Sequence, residues 1–222
     1  MVLSLLSLNV RGFKNVSKRK AIFLYCEGQV NVNCFFFQET QSNKEDFGFW
    51  KSQWGNIYLS HGSPRSAGGA IFLHNFDVKI IDHNSDTEGH WLMVNIEVDD
   101  TKYILVNIYG FINRTKKQRL FTNINHMITN WKQMYATDKV IVAGDSNVVP
   151  DENQDRHPTQ HNSPRFNKII SEFSSSLDLI DIWRRKNPNK LQYTRNNSQD
   201  SQHSRIDYWL LTSNQNIFNL KL

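Results

Sequence analysis

Five short motifs place amide, carboxylate or phenol side chains beside apolar runs of strand length. Oxygen ligands of this kind suit a hard cation such as Mg²⁺, which keeps several waters and binds substrate phosphate. A carboxylate and a carboxamide on one tight turn could also orient or deprotonate a water and donate to a phosphoryl oxygen. The pattern therefore indicates phosphate-ester chemistry. The motifs are Leu8-Asn9-Val10-Arg11-Gly12, Gln38-Glu39-Thr40, Asn107-Ile108-Tyr109-Gly110, Gly144-Asp145-Ser146-Asn147 and Ser204-Arg205-Ile206-Asp207-Tyr208.

Taken singly, most of these residues have an ordinary structural explanation. Asn9 is a common turn residue, Asp145 can cap a loop, and Asp207 can pair with Arg205. Glu39 is different, because a carboxylate that directly follows a run of phenylalanines loses its hydration unless it meets a cation or hydrogen-bond donors. A metal ion is the obvious partner for Glu39.

The elements that must position the motifs are strands and helices in alternation. A turn signal at Asp99-Asp100 between two β-rich runs predicts a hairpin, so we expect mixed sheets. Because ligands collect at strand ends in α/β sheets, we expect the motifs to converge on one pocket. The predicted strands are Leu3 to Asn9, Cys34 to Glu39, Ile57 to Ser60, Ala70 to Leu73, Val78 to Ile81, Trp91 to Val98, Tyr103 to Tyr109, Lys139 to Gly144 and Ile206 to Thr212. Helical spacing occurs at Ala21 to Leu24, Leu120 to Trp131 and Phe166 to Phe173, the last beginning at Ser163-Pro164.

Composition favours one α/β domain over residues 1–222, with two packed mixed β-sheets flanked by helices. The 222 residues are 39% hydrophobic, with six Trp and 14 Phe, which is enough to fill a core and excludes a disordered or fibrous chain. There is no linker composition, low-complexity tract or short-period repeat.

Several other classes are excluded or disfavoured. Cys26 and Cys34 lie in apolar surroundings, which predicts buried free thiols of a reducing, intracellular compartment. No apolar run is long enough to span a membrane, and the serine-alternating start is typical of a strand rather than a signal peptide. His157 and His161 have the spacing of a zinc pair, but Pro158 between them disfavours the required helix.

Basic residues cluster beside the motifs, and the formal net charge is +5 from 26 Lys and Arg against 21 Asp and Glu. If the strand ends form one cleft, two of the clusters lie around its rim, and this arrangement suits a polyanion longer than one phosphate. A charge run alone usually marks a solvated helix face, so this interpretation depends on the adjacent motifs. The clusters are Arg11 to Lys20, Arg114 to Arg119 and Arg184 to Lys186.

In order and spacing, the five motifs resemble those of the endonuclease/exonuclease/phosphatase superfamily, and within it the apurinic-endonuclease-like domain of LINE-type non-LTR retrotransposons. Four secondary motifs support the resemblance: Gly68-Gly69-Ala70, Asp155-Arg156, Asp181-Ile182-Trp183-Arg184 and Gln192-Tyr193-Thr194. The resemblance implies a four-layer, deoxyribonuclease I-like α/β sandwich. It also implies Mg²⁺-dependent hydrolysis of DNA phosphodiesters, with Mn²⁺ as a substitute, leaving a 3′-hydroxyl that primes reverse transcription.

The resemblance also implies roles for individual residues. Glu39 matches the metal-binding carboxylate, and Asn9 helps to hold metal or phosphate. Asp145 matches the residue that positions the attacking water, and Asn147 the one that orients Asp145 and the phosphate. Tyr109 matches the tyrosine that contacts the scissile phosphate.

Further residues complete the implied site and its setting. Asp207 matches an acid that pairs with a catalytic histidine. The implied setting is a nuclear, monomeric domain of a longer polyprotein that carries reverse transcriptase, acting on DNA and not on a membrane. The residues expected to contact phosphate or DNA are Arg11, Arg114, Lys116, Thr194 and Ser204.

Two departures from the family pattern carry expectations of their own. The sequence stops at Leu222, before the terminal Ser/Thr-Asp-His motif, so we expect a fragment that lacks its last strand and has impaired activity alone. His203 lies four residues from Asp207, roughly 13 Å along a strand, so we do not expect it to replace the missing histidine. Ser146 stands where the family usually has Phe, and this change should alter packing rather than chemistry.

Two alternatives stay open. A phosphatase for inositol phosphates, or a sphingomyelinase, shares the same catalytic core, although Tyr109 in place of a second histidine and the basic surroundings favour nucleic acid. The second alternative is a catalytically inactive module that only binds nucleic acid, with strongly salt-dependent affinity.

Overall fold

Two β-sheets pack face to face, with helices on both outer faces, in the computed structural model, which describes residues 2–63, 67–159, 164–196, 201–213 and 219–221. The helices are α1 (Val16–Glu27), α2 (Asp46–Trp54), α3 (Arg114–Met134), α4 (Pro164–Leu177) and α5 (Ile182–Lys186). The strands are β1 (Ser4–Asn9), β2 (Cys34–Gln38), β3 (Ile57–Ser60), β4 (Gly69–Leu73), β5 (Lys79–Ser85), β6 (Trp91–Val98), β7 (Thr101–Tyr109), β8 (Val140–Asp145), β9 (Arg156–His157), β10 (Leu179–Asp181), β11 (Arg195–Asn196), β12 (His203–Ser204), β13 (Asp207–Thr212) and β14 (Asn219–Lys221).

Both large sheets are mixed, as predicted. The first has the strand order β14-β1-β2-β4-β3, in which β1 runs parallel to β2 and to β14. The second has the order β10-β13-β8-β7-β6-β5, in which β7 and β8 are parallel and the other pairs are antiparallel. A small third sheet joins β11, β12 and β9.

Three apolar clusters hold the four layers together, which confirms the predicted α/β sandwich. The middle cluster lies between the sheets and includes Phe36 and Trp209, whose rings meet edge to face at 5.2 Å. The neighbouring Phe35 and Phe37 point the other way, toward α1 and α2. The run of phenylalanines therefore serves both faces of β2, because successive side chains of a strand alternate. A third cluster packs α3 and α4 on the second sheet.

All nine predicted strands and the three predicted helices are present, with shifted ends. The hairpin at Asp99-Asp100 joins β6 to β7. β2 ends at Gln38, one residue earlier than predicted, because Glu39 has a φ of 55°. β5 extends to Ser85 rather than ending at Ile81. The pattern missed α2, α5, β10, β14 and the small sheet. The two-residue strands of the small sheet are too short to show a period. His161 and Ser163 lie outside the described residues.

The predicted free thiols are confirmed, since Cys26 and Cys34 are both buried and unbridged. Burial raises the pKa of Cys26 to about 12, with a smaller contribution from Glu27, and burial also raises the pKa of Cys34. Within the described ranges, no helix is long and apolar enough to cross a bilayer.

Asn107 of β7 ties the two sheets together beneath the motifs. Its Nδ2 donates to the carbonyl oxygens of Phe37 (2.8 Å) and Ala70 (2.9 Å) in the first sheet. Its Oδ1 accepts a bond from the Nε2 of Gln38 at 2.8 Å. These bonds set the separation of the sheets next to Glu39.

A buried ion-pair network anchors the start of β13. Asp155 is fully buried and accepts from Arg205 Nε (2.7 Å) and Nη2 (2.9 Å), and Arg184 also donates to it. Arg205 Nη2 lies 2.6 Å from the Asp181 carboxylate. The suggested pairing of Arg205 with Asp207 is therefore wrong. The guanidinium turns away from the cleft toward two carboxylates held by other elements.

We expect Asp155→Ala to lower the free energy of unfolding by about 3 to 5 kcal/mol, because it leaves the Arg205 charge buried without its main partner. Urea unfolding followed by circular dichroism measures this. Glu97→Ala is the control: it removes a pair to an exposed Lys79 and should cost less than about 1 kcal/mol. Equal losses in the two variants would contradict the assigned importance of Asp155.

Candidate active site

The ends of strands from both sheets meet at one open cleft of about 530 Å³. Asn9 ends β1 and Glu39 follows β2 on the first sheet. Tyr109 ends β7, Asp145 ends β8 and Asp207 begins β13 on the second. The structure thus brings together side chains that lie far apart in the sequence, as the motifs predicted.

The amide of Asn9 joins carboxylates that belong to different sheets. Its Nδ2 donates to Glu39 Oε1 at 2.9 Å and to Asp145 Oδ2 at 3.1 Å. Its Oδ1 accepts the backbone N–H of Arg11 at 3.1 Å, which leaves the amide in one orientation. The Tyr109 hydroxyl donates to the same Glu39 oxygen at 3.0 Å. Glu39 is therefore held by two donors, one from each sheet.

The backbone at the cleft is left-handed at several non-glycine positions. Arg11, Glu39 and Asn147 have φ values of 47°, 55° and 51°. Such residues persist only where the surroundings over-determine them, and they concentrate at functional sites. At Glu39 the constraint is visible, because its carbonyl accepts the Gly12 N–H at 2.6 Å. This turn directs the carboxylate into the cleft instead of along the strand.

The turn after β8 orients Asp145. The Asn147 N–H donates to Asp145 Oδ1 at 3.0 Å, and the Asn147 Nδ2 donates to the Gly110 carbonyl at 2.8 Å. Only glycine fits at position 144, because φ is 129° and a Cβ would lie 2.1 Å from the Ile108 carbonyl oxygen. Asn147 therefore orients Asp145 through its backbone, while its side chain lies at the cleft wall.

The carboxylates of the second sheet are held in an unfavourable environment. Burial raises the pKa of Asp145 to about 7, repulsion from Asp207 adds to this, and the donors from Asn147 and Asn9 oppose it. Burial likewise raises the pKa of Asp207, against a hydrogen bond from Thr194. Burial and the nearby Glu39 raise the pKa of Tyr109, so its phenol stays a neutral donor.

The donor set suits a hard cation. Among the described residues, no Lys or Arg lies within ion-pair distance of Glu39, Asp145 or Asp207. Buried carboxylates that lack a cationic side chain bind a metal favourably, and Mg²⁺ takes one or two of them plus water. Glu39 presents carboxylate oxygens at the position predicted for the metal ligand. Asn9 turns its Nδ2 donor toward Glu39 and Asp145 and its Oδ1 toward the Arg11 N–H, so ligation by Asn9 stays a prediction. In the described part of the chain, no group of three or more His, Cys, Asp or Glu side chains forms a ready metal site.

Lys117 belongs to a predicted basic cluster but points inward. It is buried and its Nζ donates to the Asn147 carbonyl. Burial lowers its pKa to about 8, and attraction to Asp145 opposes this. The basic pattern marked Lys117 as one of a surface group, whereas it supports the Asp145 turn from below.

Only some of the residues predicted to contact DNA lie at the cleft. Arg11 and Thr194 line the cleft, and Thr194 Oγ1 accepts the Ile206 and Asp207 N–H groups at 3.1 and 3.2 Å. Arg114, Lys116 and Ser204 do not line it. Ser204 lies in β12 of the small sheet, where its backbone pairs with β9 and β11, which keeps it out of the cleft.

Arg195 lies at the cleft, whereas His203 and Ser146 do not line it. Arg195 lines the cleft, and the sequence reading missed it because nothing in the pattern sets it apart from other arginines. His203 bonds to the Oδ1 of Asn196 at 2.9 Å, so it does not pair with Asp207, as expected. Ser146 is buried beneath the turn, and its hydroxyl donates to the Ile206 carbonyl at 2.9 Å. The expectation that Ser146 alters packing rather than chemistry stays a prediction.

The sequence is similar to that of a curated transposon protein. The chain is 24% identical over 217 residues to the "Transposon TX1 uncharacterized 149 kDa protein" of Xenopus laevis. The match covers 96% of this chain and 16% of the relative's length. No family model matches the chain.

Solved structures match nearly the whole fold. The AP endonuclease LMAP from Leishmania major has a TM-score of 0.75 at 16% identity, covering 94% of this chain and 78% of its own. The Xenopus laevis APE2 catalytic domain has a TM-score of 0.75 at 18% identity, and the match covers 96% of this chain and 82% of that domain. The endonuclease domain of TRAS1, a telomere-specific non-LTR retrotransposon, has a TM-score of 0.64 at 14% identity. That match covers 95% of this chain and 85% of the TRAS1 domain. The chain thus has the fold shared by apurinic endonucleases and a retrotransposon endonuclease domain, the fold that its motifs predicted.

Proposed function

We propose that the chain is a Mg²⁺-dependent endonuclease that hydrolyses DNA phosphodiester bonds, as the target-nicking domain of a retrotransposon. The observation that carries the proposal is the Asn9 amide, which joins Glu39 and Asp145 across the two sheets in an open cleft. The transposon relative and the retrotransposon structure support the setting. We further propose that it is a domain of a longer polyprotein that carries reverse transcriptase, and that it works in the nucleus as a monomer.

The side chains divide the reaction between them. Mg²⁺, or Mn²⁺ in its place, held by Glu39 and Asn9 would neutralise charge that develops on the phosphate. Asp145 accepts a proton from the water that attacks phosphorus, the bond from phosphorus to the 3′ oxygen breaks, and that oxygen leaves and takes up a proton. Tyr109 stays protonated and would turn its single O–H from Glu39 to the phosphate when substrate binds.

Charge around the cleft favours a long anionic substrate over a small one. Arg11 and Arg195 line the cleft walls, and both oppose the raised pKa of Asp207, so their positive charges reach its centre. The cleft is open, which admits a strand that continues on both sides. These features support DNA over an inositol phosphate or a sphingolipid headgroup.

A second candidate is a module that binds DNA without cutting it. The observation that favours it is the surroundings of Asp207, which has no histidine partner within the part of the chain that the structure describes. Turnover that requires a histidine beside Asp207 would then be weak or absent in these 222 residues alone.

We expect nicking of supercoiled plasmid in Mg²⁺ and none in excess chelator. Glu39→Gln and Asp145→Asn should each lower the rate by about 100-fold or more, because each removes an electrostatic or proton-transfer role. Glu97→Gln, a carboxylate change on β6 away from the cleft, is the matched control and should leave the rate unchanged.

A change of less than about threefold in both cleft variants, with the parent active, would refute the assigned roles. If the parent binds DNA in a salt-dependent way but never nicks it, the binding-only candidate is correct.

The raised pKa of Asp145 predicts a pH-dependent stability in the absence of divalent metal. Its folded pKa of about 7 lies above the unfolded value of 3.8, so the native state binds the extra proton and this contribution weakens as pH rises from about 4 to 7. The free energies of unfolding of the parent and Asp145→Asn, from urea titrations, should therefore diverge across this window, by up to about 4 kcal/mol in the parent's disfavour. Parallel stability curves from pH 5 to 8 would contradict this account.

A further inference from the structure

Ile112 stands on a ridge between the catalytic cleft and a second cavity. Ile112 and Tyr109 line both hollows, and the second has a volume of about 560 Å³. Ile112 is 81% exposed, more than any other large hydrophobic side chain in the described ranges. Single exposed hydrophobic residues are ordinary on protein surfaces. This one differs in its place, because anything that fills both hollows must pass over it.

The loop that carries Ile112 is fixed on both sides. Before it, the Gly110 N–H donates to the Asp145 carbonyl at 2.6 Å, and the Gly110 carbonyl accepts from Asn147 at 2.8 Å. After it, the Asn113 side chain caps the first turn of α3. Ile112 is thus presented rigidly, at a position tied by backbone to the Asp145 turn.

The second cavity has an aromatic wall with a cation above it. The rings of His90 and Phe111 stack with centroids 3.5 Å apart. His90 Nδ1 donates to the Tyr109 carbonyl at 2.6 Å, which holds the imidazole against the catalytic cleft. Lys116 Nζ lies 5.2 Å from the centre of the Phe111 ring and is exposed. An aromatic surface beside a cation suits a nucleobase and its phosphate.

Charge on the rim sets the orientation of such a nucleotide. Glu88 is exposed on the same cavity and disfavours a phosphate on its side. Lys116, and Arg114 at the start of α3, are exposed cations on the ridge side. A strand would therefore run its phosphates past α3 and turn its base inward, toward Phe111.

We propose that Ile112 is a wedge that enters the base stack of the DNA strand beside the phosphate to be cut, and that the displaced base rests on the outer face of Phe111 while the exposed Lys116 turns to a phosphate. The His90 ring supports Phe111 from behind, because it is stacked between Phe111 and Tyr109. The inference rests on the proposed function, since it concerns how the same cleft receives DNA. Apolar side chains that insert between base steps unstack them and kink the duplex. A kinked backbone reaches into a cleft that a straight duplex would only pass over.

The test uses a short duplex in which 2-aminopurine replaces the adenines of one strand, because its fluorescence rises when stacking is lost. The chain carries Glu39→Gln so that it binds without cutting, and anisotropy of a dye on the other strand reports binding. At saturating protein we expect a fluorescence rise that Ile112→Ala reduces by more than about half. Phe111→Leu should also reduce it, since it keeps the bulk and removes the aromatic surface.

Leu24→Ala is the matched control, because Leu24 is an exposed hydrophobic residue of α1 that lines neither hollow. Unchanged urea midpoints show that Ile112→Ala, a change at an exposed side chain, leaves the fold intact. An equal rise with and without Ile112, or no rise at full binding, would overturn the wedge. Plasmid nicking by the parent with no fluorescence rise would reject the wedge alone, whereas absence of both nicking and DNA binding would reject the proposed function with it.

Discussion

The hydrogen bonds of Asn107 to the opposite sheet are the contact on which the cleft depends. Two donors from its amide reach the Phe37 and Ala70 carbonyls, and its oxygen accepts from Gln38. An unpartnered amide in this dry interior would cost about 1 to 3 kcal/mol, so the bonds act together to specify one separation of the sheets. Glu39 follows Gln38, and Tyr109 lies two residues beyond Asn107. The bond from the Tyr109 hydroxyl to Glu39 is thus a consequence of this separation.

Buried carboxylates are paired with arginines in one part of the described chain and lack such partners in the cleft. Away from the cleft, the buried Asp155 is matched by Arg205 and Arg184. Within the cleft, burial and repulsion from Asp207 raise the pKa of Asp145, and burial and repulsion from Glu39 raise the pKa of Asp207, without a cationic side chain at ion-pair distance among the described residues. Such an arrangement lowers stability, and proteins retain it where function requires it. A bound cation would relieve the repulsion, so binding and stability are linked at this site.

The sequence predicted the parts of the fold that have a local cause. Strands such as β7 are visible in the sequence as runs of apolar residues. Polar residues at strand ends, such as Asn9 and Asp145, are visible as interruptions of those runs. What the pattern could not predict depends on contacts between distant segments. The partner of Arg205, the inward turn of Lys117 and the place of Arg195 at the cleft are of this kind. The left-handed backbone of Glu39 also arises from a loop elsewhere, at Gly12.

The proposed function depends on Glu39, which follows β2 beside the end of β1, as the carboxylate that would hold a divalent metal in a cleft completed by the other sheet. The most direct measurement is an anomalous difference map from crystals of the 222-residue chain grown with Mn²⁺. The account predicts a peak in direct contact with the Glu39 carboxylate, lost in crystals of Glu39→Gln. A saturating Mn²⁺ concentration that gives no peak in the cleft, or a peak that survives the substitution, would contradict it.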